Sequence, residues 1–210
     1  VALLLRPHLS HSHATIEVGD NVVAEINTVN PVEAFRKDPT LFPLPPYSFM
    51  QEADRYENRL PIAAKLVVER GLNEEFGDSS AGIGIITHGT TFNTVMRVLS
   101  LLGLASELGV VDERLHILQL NVIHPLNDDQ LIEFMRGKEK VLLVEEGQPE
   151  LLELAIRSLI QRSALAVNFN GHDLVPGVGE LTPENVMLPL AGYLESCLGD
   201  SVSAALDLAG

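Results

Sequence analysis

Residues 82–104 read GIGIITHGTTFNTVMRVLSLLGL, which places a strand, a tight turn and a helix in direct succession. The apolar run at 83–87 is typical of a strand that is buried on both faces, as in a parallel sheet. From 91 to 102 the apolar residues recur at helical spacing, and Gly103 marks the helix end. The stretch therefore predicts one β-α unit of an open parallel sheet.

The same strand-then-helix unit repeats after residue 104. Further strands are predicted at 115–120, 140–145 and 164–169. A helix and short loops separate each strand from the next, an order that predicts a mainly parallel sheet with helices on both faces. The fold class is therefore α/β, with a three-layer α/β/α domain at 80–198 and a weakly polar tail at 199–210.

The helix starts carry signals of their own. Asn127 is predicted to cap one helix, with Gln130 three residues later as in a capping box. Pro149 is predicted to open the next helix as a first-turn proline. The last helix opens at Thr182, and we expect Pro189 to kink it.

The first part of the chain looks like an appendage, because it is too small to bury an apolar face of its own. Residues 1–29 have the alternation of short β strands. Residues 30–47 contain five prolines, which remove backbone donors and favour an extended, semi-rigid strap.

A helix is predicted to follow the strap. Residues 48–70 have helical periodicity, with Ser48 as the cap and Pro61 as a kink or interruption. Residues 73–81 are polar and contain Gly and Ser, so we expect a boundary there. The segment 30–79 is thus predicted to be a Pro-rich strap followed by a kinked helix.

The charge balance is acidic, because 14 Lys and Arg stand against 29 Asp and Glu, for a net charge of −15. Without a basic stripe to meet phosphate backbones or anionic lipid, nucleic-acid and membrane roles are disfavoured. The single cysteine, Cys197, cannot by itself hold an iron–sulfur cluster and fits a reducing, cytoplasmic compartment. Val1 opens the chain inside strand-like sequence, so we expect a fragment whose uncovered apolar faces favour a homodimer.

The turn between the first predicted strand and its helix is one candidate binding site. Gly89, Thr90 and Thr91 lie where open parallel sheets bind ligands and where a helix N-terminus attracts anions. Gly82 and Gly84 do not complete a G-x-G-x-x-G fingerprint with Gly89, because Gly84 precedes the strand end. The other interpretation is a turn glycine with a capping threonine.

Two adjacent carboxylates, Glu145 and Glu146, end the 140–145 strand. Neighbouring strand residues point to opposite faces, which places them badly as an acid and base on one substrate. We expect structural carboxylates that accept hydrogen bonds from a nearby loop or helix start.

Histidines form the remaining candidates. His11 and His13 share one face of a strand and are weak candidates for a two-ligand metal grip, the other interpretation being surface or packed side chains. His124 and His172 lie in loops at strand ends, without an identifiable nucleophile to serve.

Three longer stretches stand out as whole motifs: LLLRPHLSHSHATIEVGDN at 3–21, YSFMQEADRYENRLPIAAKLVVERGLNE at 47–74, and the run from 82 to 186 that includes VLLVEE and NGHDLVPGVGELTPENV. Together they resemble the indolepyruvate ferredoxin oxidoreductase family, particularly the long form with fused subunits. In the first stretch Arg6, His11, Ile16 and Glu17 fit the family pattern, whereas Ser10 stands where Cys is usual. Thr90 replaces a glycine that is common in the family.

The resemblance implies a role within a larger enzyme. Residues 1–29 would be the tail of a thiamine-site (pyrimidine-type) domain, and residues 80–198 a transketolase C-terminal-like domain. Family members oxidatively decarboxylate arylpyruvates with coenzyme A and ferredoxin, using thiamine diphosphate, Mg²⁺ and iron–sulfur clusters. Gly19-Asp20-Asn21 lacks the second glycine of the thiamine motif.

We therefore expect no catalytic residue and no bound cofactor in this chain. Its expected role is that of a non-catalytic assembly domain that packs against the other domains of the parent chain. The alternative is a free-standing α/β module that binds a small anion.

Overall fold

The computed structural model describes residues 15, 19–20, 38–106 and 109–199. The chain divides into two compact units, residues 1–42 and residues 43–210. In the first unit Asp38 accepts a hydrogen bond from the Thr40 amide at 2.9 Å and caps a 3₁₀ turn, Pro39–Leu41. Apart from three isolated positions, the strands predicted within 1–29 lie outside the described residues.

A five-stranded sheet organises the second unit, in the order β1-β3-β2-β4-β5. The strands are β1 Glu74–Gly77, β2 Ile83–His88, β3 Leu115–Leu120, β4 Lys140–Val144 and β5 Asn168–Asn170. β2 pairs in parallel with β3 and β4, and β4 pairs in parallel with β5. Only β1 runs antiparallel to its neighbour. The predicted α/β class with a mainly parallel sheet is confirmed.

Helices cover both faces of this sheet. The α-helices of the described residues are α1 Tyr47–Asp54, α2 Leu60–Glu69, α3 Thr91–Leu101, α4 Asp128–Met135, α5 Leu151–Arg162 and α6 Pro183–Leu198, of which α3 to α6 supply the two faces. Residues of α3 and α6 share one buried cluster, and residues of α4 and α5 share the other. The two clusters form the two sides of the predicted three-layer arrangement. Among the described residues, no helix combines the length and apolarity that crossing a membrane requires.

The strands are apolar on both faces because each face has a helical layer to meet. Ile85 packs into the cluster of α3 and α6, whereas Ile86, the next residue, packs into that of α4 and α5. Leu142 and Leu143 divide in the same way along β4. All four side chains are fully buried, as the period of two along a strand requires.

The prediction for 48–70 was right about the helix and wrong about its cap and its irregularity. The helix begins at Tyr47, so Ser48 lies inside the first turn and does not cap it. Pro61 sits in the first turn of α2 and does not interrupt the helical path. The irregularity is a π-turn, Arg55–Arg59, directly before α2. Proline lacks the N–H that would continue the α-helical ladder, and a wider turn before it accommodates that loss.

The boundary predicted at 73–81 contains a strand instead. β1 occupies Glu74–Gly77 and pairs with β3 at the edge of the sheet. Phe76 anchors it, with its ring centroid 4.8 Å from that of Phe92 on α3. The sequence signal was weak because two of the four residues are glutamates, which strands disfavour. The sheet therefore extends N-terminal to residue 80.

Three other predictions need smaller corrections. Pro149 precedes α5 instead of opening it, because Glu150 is the cap residue. β5 is limited to Asn168–Asn170, and Ala164 adopts a positive φ of 50° in the turn before it. Pro189 lies inside α6, which continues through it as one helix.

Candidate functional site at the carboxyl edge of the sheet

The carboxyl ends of β2 and β4 lie side by side, and we call this side of the sheet the carboxyl edge. After β2, Gly89 turns with φ of +51° and has open space around it. Thr90 follows as the cap residue of α3, without a side-chain capping bond. The buried Thr91 hydroxyl lies 2.7 Å from the His88 carbonyl and 3.1 Å from the Val144 carbonyl. Thr91 thus ties β2 to β4, whereas Gly89 is exposed and Thr90 is half-buried.

Glu145 caps the start of α5. Its two carboxylate oxygens accept hydrogen bonds from the amides of Leu152 and Glu153, each at 2.9 Å. These amides belong to the first turn, where a helix has no internal acceptors and carries partial positive charge. Glu145 is buried and performs the capping that Glu150, the cap residue itself, does not.

Glu146 points to a different partner. Its Oε2 accepts a hydrogen bond from the Leu181 amide at 2.9 Å, in the loop that leads to α6. Its own amide lies 3.4 Å from Nε2 of His88. The two neighbouring glutamates therefore hold two separate elements, α5 and the loop before α6.

A second network, which sequence reasoning missed, joins α5 to the loop after β5. Glu153 accepts hydrogen bonds from the His172 amide at 2.8 Å and from Arg157 Nε at 2.8 Å. The Nδ1 atom of His172 lies 3.0 Å from the same carboxylate. Arg157 also reaches Asp173, with 3.4 Å between Nη2 and Oδ1. The spacing of Glu153 and Arg157 at i and i+4 was the one local signal available.

Burial and hydrogen bonding shift the pKa of Glu153 in opposite directions. Burial favours the neutral acid, but the His172 amide and the Arg157 guanidinium together hold the pKa of Glu153 below its usual range. The backbone at Gly171 also lies close to Glu153, since a Cβ on Gly171 would overlap the Glu153 carboxylate. Within the described residues, Nε2 of His172 is buried without a hydrogen-bond partner.

A buried polar pair completes this edge on the β3 side. The Thr87 hydroxyl donates to Gln119 Oε1 at 2.6 Å. Gln119 Nε2 donates to the Gly89 carbonyl at 3.3 Å and to Asn121 Oδ1 at 3.2 Å. Gln119 therefore anchors the Gly89 turn through its carbonyl, although the sequence pattern did not indicate this residue.

The metal candidates cannot be placed, because His11 and His13 lie outside the described residues. Within 38–106 and 109–199, no three His, Cys, Asp or Glu side chains group as metal ligands would. Cys197 is a half-buried free thiol on α6.

A model of the indolepyruvate oxidoreductase domain family matches residues 73–194. The chain belongs to this family. The match begins one residue before β1 and ends within α6, so it includes every strand of the sheet. The edge strand missed in the sequence is thus part of the matched region.

Relatives of the indolepyruvate oxidoreductase domain come from larger proteins. The indolepyruvate oxidoreductase subunit IorA of Thermococcus kodakarensis is 29% identical over 190 residues, which are 88% of this chain and 27% of that protein. The IorA subunit of Methanothermobacter marburgensis is 27% identical over 201 residues, 91% of this chain and 29% of that protein. The IorA subunit of Pyrococcus abyssi is 30% identical over 118 residues, 56% of this chain and 17% of that protein. The chain thus spans little more than a quarter of the length of the longest-matching relatives.

One solved structure is also similar. It is a 2-oxoglutarate:ferredoxin oxidoreductase from Magnetococcus marinus with 2-oxoglutarate, coenzyme A and succinyl-CoA bound. Its identity to this chain is 17% and the TM-score is 0.47, over 72% of this chain and 24% of that chain.

At the opposite side of its sheet, the amino edge, the indolepyruvate oxidoreductase domain buries a different set of charges. His116 on β3 lies 2.9 Å from Glu75 on β1, between Nε2 and Oε2. Lys138 is buried and donates to the carbonyls of Ser79 and Ala81 at 3.3 and 3.1 Å. Burial, and then the Lys138 ammonium, lowers the pKa of His116 although Glu75 opposes this.

Gly84 explains why this cluster fits under the sheet. It lies within β2, and a Cβ there would be 2.8 Å from the Lys138 side chain and 3.1 Å from the Phe134 ring. Gly84 therefore makes room for a buried lysine and has no role in a phosphate-binding turn.

Proposed function

We propose that this chain is the non-catalytic assembly part of a thiamine-diphosphate-dependent indolepyruvate (arylpyruvate) ferredoxin oxidoreductase of the long, fused form. In this proposal residues 80–198, with β1, are its transketolase C-terminal-like domain. Residues 1–29 are the tail of a pyrimidine-type thiamine domain, and residues 30–79 are the connecting strap and helix. Membership of the indolepyruvate oxidoreductase domain family and the greater length of the relatives support this assignment.

The parent enzyme would act in the cytoplasm. By analogy with the relatives' names and the family resemblance, it would oxidatively decarboxylate a 2-oxo acid to an acyl-CoA and pass the electrons to ferredoxin. Thiamine diphosphate, Mg²⁺ and iron–sulfur clusters would be held by other domains of the parent, which are this chain's partners.

One observation carries the non-catalytic assignment. At the carboxyl edge three polar side chains form hydrogen bonds with the main chain: Glu145 with the amides at the start of α5, Glu146 with the Leu181 amide, and Thr91 with the carbonyls that end β2 and β4. A group that must bind or move a proton on a substrate needs a lone pair or a proton directed at that substrate. These three side chains direct their lone pairs and protons at the main chain instead.

The Glu145 carboxylate also does not fit the Mg²⁺ site of the implied cofactor. A diphosphate bound through Mg²⁺ needs carboxylate or amide oxygens that are free to coordinate the ion. Both oxygens of the buried Glu145 carboxylate accept amide hydrogens instead. We therefore assign no catalytic step to residues of this chain.

Isothermal titration calorimetry of the 210-residue chain with thiamine diphosphate and Mg²⁺ tests the proposal. We expect no binding heat. Stoichiometric binding with micromolar affinity would contradict a non-catalytic role and would place a cofactor site within this chain.

A small-anion-binding module is the second candidate function. The supporting observation is the Gly89 turn, exposed and open at the N-terminus of α3, with Thr90 next to it. Thermal-shift measurements with phosphate, coenzyme A, nucleotides and 2-oxo acids test it, with Thr90→Val as the variant. An increase in melting temperature that disappears in Thr90→Val would favour the anion module, and the absence of any increase would remove it.

A further inference from the structure

A surface groove lies between α2 and α4, and we call it the α2–α4 groove. Its volume is about 890 Å³. None of the side chains that line it is buried, so it is a channel open to solvent and not an enclosed cavity. Such a channel suits a polypeptide segment better than a small molecule, which usually buries most of its own surface in its site.

Side-chain amides hold the two walls of the groove together. Asn127, the cap residue of α4, donates through Nδ2 to the Ala64 carbonyl on α2 at 3.0 Å. Asn73, which follows α2, donates through Nδ2 to Gln130 Oε1 on α4 at 2.8 Å. The Oδ1 atom of Asn73 also accepts two main-chain amides of the loop after β3, each at 3.0 Å. The groove is therefore preformed, and a partner does not have to order its walls.

The interior of the groove is apolar. Pro61, Ala64 and Val68 lie along one side of α2 at spacings of three and four, within its regular α-helical part. Leu126 adds a further apolar side chain, directly before the cap of α4. Val68 is 49% exposed, so a partner that covers it removes apolar surface from water.

Carboxylates surround this apolar interior. Lys65 is the one cation among the lining residues, and five of the lining residues are acidic: Glu69, Glu75, Asp128, Asp129 and Glu133. Three of the five pair with exposed Lys or Arg side chains of the same domain. Exposed pairs of this kind contribute little to stability, so these carboxylates can be shared with an incoming cation.

The rim keeps a net negative charge after its ion pairs are counted. Five carboxylates stand against three paired cations, which leaves two negative charges. Glu75 contacts His116, whose pKa is lowered by burial, so this imidazole adds no positive charge at neutral pH. Among the described residues, Asp129 has no ion-pair partner.

We propose that the α2–α4 groove binds a basic amphipathic helix of a polypeptide outside this chain. Apolar side chains on one side of that helix cover Val68 and Leu126, and Lys or Arg side chains beside them meet Asp129 and Glu133 at the rim. The net charge of −15 attracts a cationic partner at long range and disfavours a second copy of this chain. The inference does not depend on the proposed function of the sheet domain.

Fluorescence anisotropy of labelled model helices, titrated with the full 210-residue chain, tests this inference. The probe is a Leu/Lys peptide of about 14 residues with its leucines on one side, and the comparison peptide has glutamate in place of each lysine. We expect saturable one-to-one binding of the Leu/Lys peptide, with a dissociation constant on the order of 10 µM. We expect no binding of the Leu/Glu peptide up to about 200 µM.

Two groove variants locate the binding. Asp129→Asn combined with Glu133→Gln removes two rim charges at nearly constant size and should weaken binding roughly 5-fold. Val68→Gln places a polar group in the apolar interior and should weaken binding about 10-fold. Circular dichroism checks that each variant is folded, and the charge variant decides alone if Val68→Gln is not.

Matched controls lie outside the groove. Glu113→Gln combined with Glu184→Gln removes two exposed carboxylates, of which Glu184 stands in the first turn of α6 as Asp129 does in that of α4. Leu188→Gln replaces an apolar side chain on α6 that is 74% exposed. Neither control should change the affinity for the Leu/Lys peptide.

Three results would overturn the inference. The first is that both peptides bind equally or that neither binds. The second is that the controls weaken binding as much as the groove variants do, which would reduce the attraction to net charge alone. The third is a wild-type dimer in sedimentation equilibrium that Val68→Gln abolishes, which would assign the groove to a second copy. None of these results bears on the calorimetric test of the proposed function.

Discussion

The two edges of the sheet both bury charge, but they neutralise it in different ways. At the carboxyl edge, Glu145 and Glu153 receive main-chain amides from a helix start and a loop. At the amino edge, Lys138 donates to two main-chain carbonyls and His116 contacts the Glu75 carboxylate. The charges of Glu75 and Asp78 act on both groups. Main-chain amides predominate at the first edge, where Arg157 also pairs with Glu153, and titratable side chains predominate at the second.

The difference indicates where the domain is rigid. Release of a carboxylate held by amides of a helix start leaves those amides without a protein acceptor, because the first turn has no internal one. The contribution of a histidine beside a lysine to stability depends on pH, because the protonated histidine and the lysine repel each other. We therefore expect the carboxyl edge to be the more fixed frame, and the amino edge to be the side that loses stability first as the pH falls.

We expect the largest loss of stability from a substitution that crowds the carboxyl edge. Gly171→Ala places a methyl group against the Glu153 carboxylate and forces it away from His172 and Arg157. We expect a loss of ~3 kcal/mol in the free energy of unfolding, measured with urea.

Gly192 provides the matched control for this substitution. It lies within α6 with open space around it, so Gly192→Ala should raise stability by about 0.5–1 kcal/mol. Equal effects of the two substitutions would show that Glu153 can move freely, contrary to a fixed frame.

The next effect concerns the cap on α5. Glu145→Gln keeps the size of the side chain but replaces one acceptor by a donor and removes the charge that faces the helix start. We expect a loss of ~2 kcal/mol by urea unfolding. The comparison is Glu150→Gln, which changes a cap residue without a side-chain capping bond and should cost less than about 0.5 kcal/mol.

The smallest expected effect is a pH dependence of stability, which differs between the two edges. The folded-state pKa of His116 lies below the ordinary value of 6.5, so the unfolded chain takes up the proton first and stability falls as the pH drops below 6.5. The pKa of Glu153 is also lowered, from an ordinary value of 4.5, so its contribution is present above pH 4.5 and is lost below it.

Urea unfolding across pH 3–7 on wild type and two variants checks this separation. His116→Gln should flatten the stability profile between the two ordinary pKa values and leave the lower region unchanged. Glu153→Gln should do the reverse. A single transition that both variants alter would mean that the edges do not act independently.

The central layers of this fold were predictable from the sequence. The strand over 115–120 and the helix capped by Asn127 occur as predicted, because the apolar pattern and the Asn127 side chain act within a few residues. The predicted strand at 164–169 was too long, since the Ala164 turn delays β5 until Asn168. Strand β1 was missed because it is stabilised by pairing with β3, some 40 positions away, more than by its own residues.

The candidate site was only partly predictable for the same reason. Thr91 and Glu145 could be singled out because they stand at a strand end and near a helix start. The contact between Glu153 and His172 spans 19 positions, and that between Thr87 and Gln119 spans 32. Such pairs arise from the order of strands in the sheet, which a local pattern does not specify.

Amide hydrogen exchange, resolved by residue, tests most directly whether the polar side chains of the carboxyl edge belong to the fold. The relevant amides are those of Leu152, Glu153, His172 and Leu181, which donate to Glu145, Glu153 and Glu146. We predict protection comparable to that of the β2 amides, because these bonds open only when the surrounding structure opens. Exchange at the rate of exposed loop amides would show that the carboxylates are free, and would contradict the assignment of this edge to structure.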